Sequence, residues 1–145
     1  MSETPDISLA IGLLSEVVAA DQLIKGTLSR KLPKGMEMSH FSVLNHLSNS
    51  GEKTPAQLAR NFHLTKGAMT NTLKKLELAG YIHIRPDWDD ARRKQVSISN
   101  AGRVARELAL EQLVPEFEKI ITALGDQNIR QTLPVLRAFR LALSS

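Results

Sequence analysis

Apolar side chains between residues 7 and 28 recur at spacings of three and four, through Ile7, Ala10, Ile11, Leu13, Leu14, Val17, Val18, Leu23, Ile24 and Leu28. That period predicts one long helix. Its apolar arc is wider than packing on a single compact core requires, because the rows Ile7-Ile11-Leu14-Val18 and Ala10-Leu13-Val17-Ile24 are both apolar. The surplus points to a contact between subunits. Leu32-Pro33-Lys34-Gly35 breaks the pattern, and a second helix is expected through Phe41, Val43, Leu44 and Leu47, ending before Gly51.

Thr54-Pro55-Ala56-Gln57 has the form of a capping box, with Pro55 at the first helical position, where a missing N–H costs nothing. Leu58, Ala59 and Phe62 supply a short apolar face. Only His63 and Leu64 separate this helix from the next, for which Thr65 is the N-cap and Leu64 with Met69 has the spacing of a hydrophobic staple. Two helices joined so tightly form a helix-turn-helix corner. The second is expected from Lys66 to about Ala79, with Gly80 in the left-handed position beyond its end.

The period then drops to two. Residues 81–85 and 95–99 each place two β-branched residues on one face, so the polar stretch Pro86 to Lys94 becomes the tip of a hairpin. Ser99 can cap a following helix over about 100–124, with another over about 127–143 after Gly125-Asp126. Pro115 and Pro134 fall inside these spans and should kink them or mark a boundary. The sum is one mainly helical domain over residues 1–145 with a small β-hairpin wing. Its winged helix-turn-helix spans about 36–100, flanked by helical regions at 5–30 and 101–145.

At 100° per residue, Met69, Leu73, Leu76 and Gly80 share one arc of the second helix of the corner, the side expected to face the core. Gly67, Thr70, Asn71 and Lys74 occupy the outward arc, where Glu77 is the helix's only acid. That outward surface suits a DNA major groove. Gly67 permits close backbone approach, Asn71 can pair with adenine, Thr70 can meet a thymine methyl or a phosphate, and Lys74 can reach guanine or a phosphate. Thr65, Lys66 and Lys75 border the arc, the two lysines as phosphate contacts. In the hairpin, Arg92, Arg93 and Lys94 form a basic side. Arg92 can enter a minor groove while Asp90, two residues earlier, orients its guanidinium; the plainer alternative is a surface ion pair. Trp88 is expected to pack across its own hairpin, with DNA contact as the alternative.

Net charge is +4 and the pI about 9.6, which alone favours a polyanionic partner only weakly. Between His63 and Gln95, however, seven Lys and Arg face four acids, a local excess of 7 − 4 = +3. The charge is where the reading surface is. With no cysteine, disulfides, thiolate chemistry and sulfur-ligated zinc are excluded. His40, His46, His63 and His83 do not make an evident metal site, since the first two point to different sides of one helix. Neither a metal nor a cofactor is expected, and no Ser/His/Asp grouping, phosphate-binding loop or paired carboxylates suggest an enzyme. Met36 and Met38 read as core or pocket lining. No basic leader and no apolar run near the ~18 residues of a membrane span are evident, so a cytoplasmic protein without membrane contact is expected.

Asp90-Ala-Arg92-Arg-Lys-Gln-Val96-Ser-Ile98-Ser99-Asn-Ala-Gly102 resembles the D-x-R-x-x-x-V-x-L-[ST]-x-x-G wing signature of the MarR family of bacterial transcriptional regulators. Phe41-Ser-Val-Leu44, Thr54-Pro-Ala-Gln-Leu-Ala59 and Leu73-Lys-Lys-Leu76 before Gly80-Tyr81 match its helix patterns, so the resemblance covers nearly the whole chain. It implies a homodimer interleaved through the first and last two helices. It also implies pseudo-palindromic operators, usually repression, and release from DNA when a small, frequently aromatic, effector binds between dimer helices and lobe. Bound to DNA, such a protein is associated with the nucleoid. By the same analogy Arg92 is the minor-groove arginine and Asp90 its partner. Two positions depart from relatives: Asn71 stands where Arg is frequent, and Trp88 where Pro is common. The alternative function is a winged-helix module that binds protein instead of DNA.

Overall fold

The carboxylate of Asp6 accepts the Ser8 amide at 3.0 Å and starts helix α1, Ile7–Leu23. The computed structural model describes residues 4–90 and 92–144, so Met1–Glu3 and the Ala91 of the wing motif lie outside the described residues. After Leu23 the helix widens into a π turn, Ile24–Leu28, and tightens into a 3₁₀ turn, Ser29–Lys31, before Leu32 becomes extended. The result is a continuous helical run from Ile7 to Lys31 that is long and apolar enough to cross a membrane by length and composition, its most apolar 18-residue stretch having mean hydropathy 1.7. This corrects the expectation that no segment approaches such a span: scattered Glu16 and Asp21 interrupt the apolar run without lowering its average much. Helix α1 itself buries no side chain in the single chain.

Helix α2, Met38–Ser50, is opened by a reciprocal cap in which the Glu37 amide donates to Nδ1 of His40 at 3.0 Å. Gly51 closes it with φ +78°. The Thr54 capping box forms as its spacing predicts. Thr54 Oγ1 accepts the Gln57 amide at 3.1 Å, Gln57 Oε1 accepts the Thr54 amide at 2.9 Å, and α3 spans Pro55–Asn61. The corner turns through His63 at φ +56°, and Thr65 caps α4, Lys66–Leu78, by accepting the Ala68 amide. Leu64 stays 39% exposed while Met69 is fully buried, so the predicted staple does not close over Leu64.

Strands β1, Ile82–Pro86, and β2, Lys94–Ile98, pair antiparallel with Ile84 opposite Val96. Lys53 adds a third, one-residue edge, exchanging two backbone hydrogen bonds with Val96 immediately before the Thr54 cap. The hairpin is thereby tied to the start of the helix-turn-helix. Tyr81 and Ser99, expected inside strands, instead join elements: Tyr81 N–H closes α4 on Leu76 O, and its carbonyl accepts the Ser99 amide at 2.9 Å. Ser99 then caps α5, Asn100–Leu124. Helix α6 follows over Asp126–Ser144. Pro115 and Pro134 sit inside α5 and α6 and end neither.

The core draws Phe41, Val43, Leu44 and Leu47 from α2, Leu58 from α3, Met69, Leu73 and Leu76 from α4, Ile82 and Val96 from the hairpin, and Ala105, Ala109 and Leu113 from α5. Leu28, Leu32 and Met36 complete it from the N-terminal side. Gly80, placed on this core arc by its angle, is instead exposed beyond the helix end at φ +80°. The left-handed turn carries it off the arc.

Candidate nucleic-acid interface

Burial of Met69, Leu73 and Leu76 fixes the roll of α4, so the opposite side faces outward. Thr65, Lys66, Gly67, Thr70, Asn71, Lys74 and Lys75 are all exposed. Between α4 and the hairpin lie two adjoining clefts. One, of about 370 Å³, is lined by Lys66, Thr70, Arg92, Arg93 and Lys94 with Thr54, Pro55 and Ala56; the other, of about 320 Å³, includes Thr70, Lys74, Glu77, Arg85 and Lys94. The fold therefore brings Lys66, Thr70 and Lys74 of the helix together with Arg92, Arg93 and Lys94 of the wing. Gly67, Asn71 and Lys75 share the exposed helix surface but do not line these clefts, and Thr65 lines a separate hollow beside Arg60 and His63.

The wing loop is held by its acids. Asp90 Oδ1 accepts both the Arg92 amide at 3.0 Å and Arg92 Nε at 3.2 Å, while the Arg92 side chain remains 92% exposed. Asp87 accepts the Asp89 amide and the Gln95 carboxamide, each at 3.0 Å, and these two hydrogen bonds hold its carboxyl below the usual carboxylate range. Asp87 N–H and Arg93 O close the loop at 2.9 Å. Trp88 does not pack across the hairpin. It is 92% exposed, in a loop where Asp87 and Asp90 accept the amides of Asp89 and Arg92.

Several contributors were not legible as such. Arg85, one of the seven basic residues between His63 and Gln95, is paired with Glu52. Gly102 allows α5 to meet the wing base: a Cβ there would lie 2.1 Å from the Tyr81 carbonyl oxygen and 2.8 Å from Ile98 Cγ1. Arg106 Nε and Nη2 clasp Asn45 Oδ1 at 3.1 and 2.8 Å, linking α5 to α2. Of the four histidines, His40 caps α2, and His46 meets Asn61 Nδ2 at 3.0 Å and the Phe62 ring edge-on at 5.5 Å. Met36 is core, whereas Met38 lines a cleft of about 740 Å³ between the end of the first helical run and α2, with Asp21, Ile24, Lys25, Ser29, Glu37, Ser39 and Ser42.

Comparison with curated proteins finds no match. Among solved structures, similar folds include a mutant MarR from E. coli complexed with operator DNA, at 20% identity and TM-score 0.74, covering 95% of this chain and 99% of the other. The PcaV transcriptional regulator from Streptomyces coelicolor in complex with its natural ligand is 15% identical with TM-score 0.81, covering 98% and 99%. The transcriptional regulator BldR from Sulfolobus solfataricus is 22% identical with TM-score 0.73, covering 97% and 99%. Likeness at these identities establishes the fold. Residues 34–93 in addition match the sequence model of the MarR family.

Proposed function

We propose that this protein is a transcriptional regulator that binds double-stranded DNA as a homodimer. The observation that carries the reading is the single concave surface shared by Lys66 and Thr70 of α4 and Arg92, Arg93 and Lys94 of the wing. The α4 side chains Thr70, Asn71 and Lys74, with Gly67 allowing close approach, read the major groove. Thr65, Lys66 and Lys75 hold phosphates at its margin, and Arg93 and Lys94 do so from the wing. Arg92, exposed and oriented by Asp90, enters the adjacent minor groove.

The dimer is supported by surface area. A compact monomer of 16.0 kDa exposes roughly 7,400 Å², but this chain exposes 10496 Å². The excess, about 3,000 Å² per chain or roughly 6,000 Å² for two copies, reaches the upper end of the range of obligate interfaces. It is concentrated in apolar side chains of α1, the far half of α5, and α6: Leu9 is 73% exposed, Leu23 67%, Leu124 54% and Leu143 66%. Covering them with a second copy gives two lobes related by a two-fold axis, hence a pseudo-palindromic operator; action as a repressor is what the family resemblance implies. The same apolar run satisfies a membrane span by composition, and purification decides between them: a detergent-free dimer in size-exclusion with light scattering supports the regulator. Recovery only in detergent would replace it.

The cleft around Met38 and Ile24 is where a small effector would couple to the lobe. Its lining is mixed, with six of its eight residues polar or charged, so an effector carrying a polar group on an apolar body fits better than a purely apolar one.

The decisive test is titration of duplexes selected from a random pool, across salt. Log affinity should fall with log salt at a slope of about −0.9 per neutralised phosphate, hence steeply for two lobes. A flat slope defeats the DNA reading. Arg92→Ala should weaken binding roughly tenfold with the dimer intact; unchanged affinity would remove the wing arginine from the mechanism.

A further inference from the structure

Trp88 is the chain's only tryptophan and, at 92% exposure, its most exposed large hydrophobic side chain among the described residues. A mobile loop would give such exposure no meaning, but this loop is cross-braced. Asp87 takes the Asp89 amide and the Gln95 carboxamide, Asp90 takes the Arg92 amide and guanidinium, and Arg93 N–H donates to Asp90 O at 2.9 Å. The indole is thus held outward at the tip of a two-stranded ribbon whose other side carries Arg92, Arg93 and Lys94. Those three line the concave surface with Lys66 and Thr70.

We infer that Trp88 is a further DNA-contacting residue, laying its indole against the sugar edge of the minor groove beside Arg92. The inference rests on the DNA-binding reading and deepens it. Three observations select duplex DNA over a protein partner. First, Trp88 lies in the same wing loop as Arg92 and Arg93, which line the basic cleft. Second, the Asp90 carboxylate is paired with the Arg92 guanidinium, which offsets its repulsion of phosphates. Third, the indole joins a flat apolar face to one N–H donor, and the minor groove offers sugar carbons beside the acceptors of adenine N3 and thymine O2. Apolar side chains inserted from the minor-groove side are an established way for proteins to widen or bend a duplex. The contact reads groove shape rather than bases, so it contributes to affinity for every sequence and favours steps that deform easily.

A single tryptophan makes the test direct, because all indole emission comes from position 88. The full-length protein is titrated with a fluorescently labelled duplex recovered by selection from a random pool. Label polarisation reports binding, while tryptophan emission and acrylamide quenching report the contact. The expected result is a shift or quenching of the emission that saturates with the polarisation, a fall in acrylamide accessibility, and a roughly 5- to 100-fold loss of affinity in Trp88→Ala, the range seen when one stacked contact is lost. Trp88→Phe should recover part of it. Saturable binding with unchanged emission and quenching, or full affinity in Trp88→Ala, overturns the inference while leaving the DNA reading intact. A dimer that dissociates in Trp88→Ala overturns it in favour of a protein contact. Flat polarisation with every duplex overturns both.

Discussion

Replacing Gly102 by alanine tests how the wing is mounted on the rest of the chain. Gly102 is the third residue of α5, and a Cβ on it would sit 2.1 Å from Tyr81 O, 2.8 Å from Ile98 Cγ1 and 3.0 Å from Tyr81 C. To reach even 3.0 Å from the oxygen, backbone must move by about 0.9 Å, the difference between 3.0 and 2.1. The carbonyl cannot simply retreat. It accepts the Ser99 amide at 2.9 Å, and the Tyr81 N–H is committed to Leu76 O at 3.0 Å. Either the Tyr81–Ser99 bond stretches or the start of α5 tilts away from the hairpin. Overpacking of this kind costs about 1–3 kcal/mol, and a weakened buried hydrogen bond adds about 1 kcal/mol. Against this, alanine gains at most about 1 kcal/mol of helix propensity over glycine. The net expectation is destabilisation of about 2 kcal/mol, or a fall in Tm of roughly 5–10 °C at fixed protein concentration. Thermal unfolding by circular dichroism reads it. A Tm at or above that of the parent would show that the close approach of α5 to Tyr81 is not maintained in solution.

Gly67→Ala is the complementary change: no atom lies within 4 Å of a Cβ there, so stability should hold or rise by up to about 1 kcal/mol while DNA affinity falls. Equal affinity would reject a close backbone approach at this position. Thr54→Ala removes one half of the observed capping box and should cost about 1 kcal/mol in urea unfolding, with no change expected in dimerisation; a loss under a few tenths would show that water replaces the cap. His40 gives a pH dependence. Burial is the main cause that lowers its pKa below the usual 6.5, with Glu37 opposing and Lys75 assisting. The folded state therefore binds fewer protons than the unfolded one, and this contribution is full above about pH 6.5 and is lost as pH falls below it. Urea midpoints from pH 8 to 5 should decline in the parent more than in His40→Gln, and parallel curves would contradict the assignment.

The amino-acid sequence by itself determined nearly every helix and both strands. The signals involved act over a few residues: the Thr54–Gln57 box, the Thr65 and Ser99 caps, the helix end at Gly51 and the left-handed Gly80 were all legible because each spans no more than a turn or two. The outward surface of α4 was legible for the same reason, since helical geometry alone puts Thr70 and Lys74 opposite Met69 and Leu73. The Asp90–Arg92 pair spans only two residues and was legible too.

Tertiary structure decided what depends on residues far apart in sequence. Arg85 pairs with Glu52 across 33 positions and Arg106 with Asn45 across 61, and no local pattern announces either. Lys53 joins β2 at Val96 through backbone atoms alone, which leaves no side-chain signature. Gly102 reads in the sequence as part of a motif, but its reason is the Tyr81 carbonyl that the fold brings against it. Trp88 was expected to fold back because an isolated indole gains by burial. In the folded chain the loop closes through the hydrogen bonds of Asp87 and Asp90, and the indole is exposed. Local periodicity therefore settles which elements form, whereas the fit between elements settles where the wing stands and which of its side chains it presents.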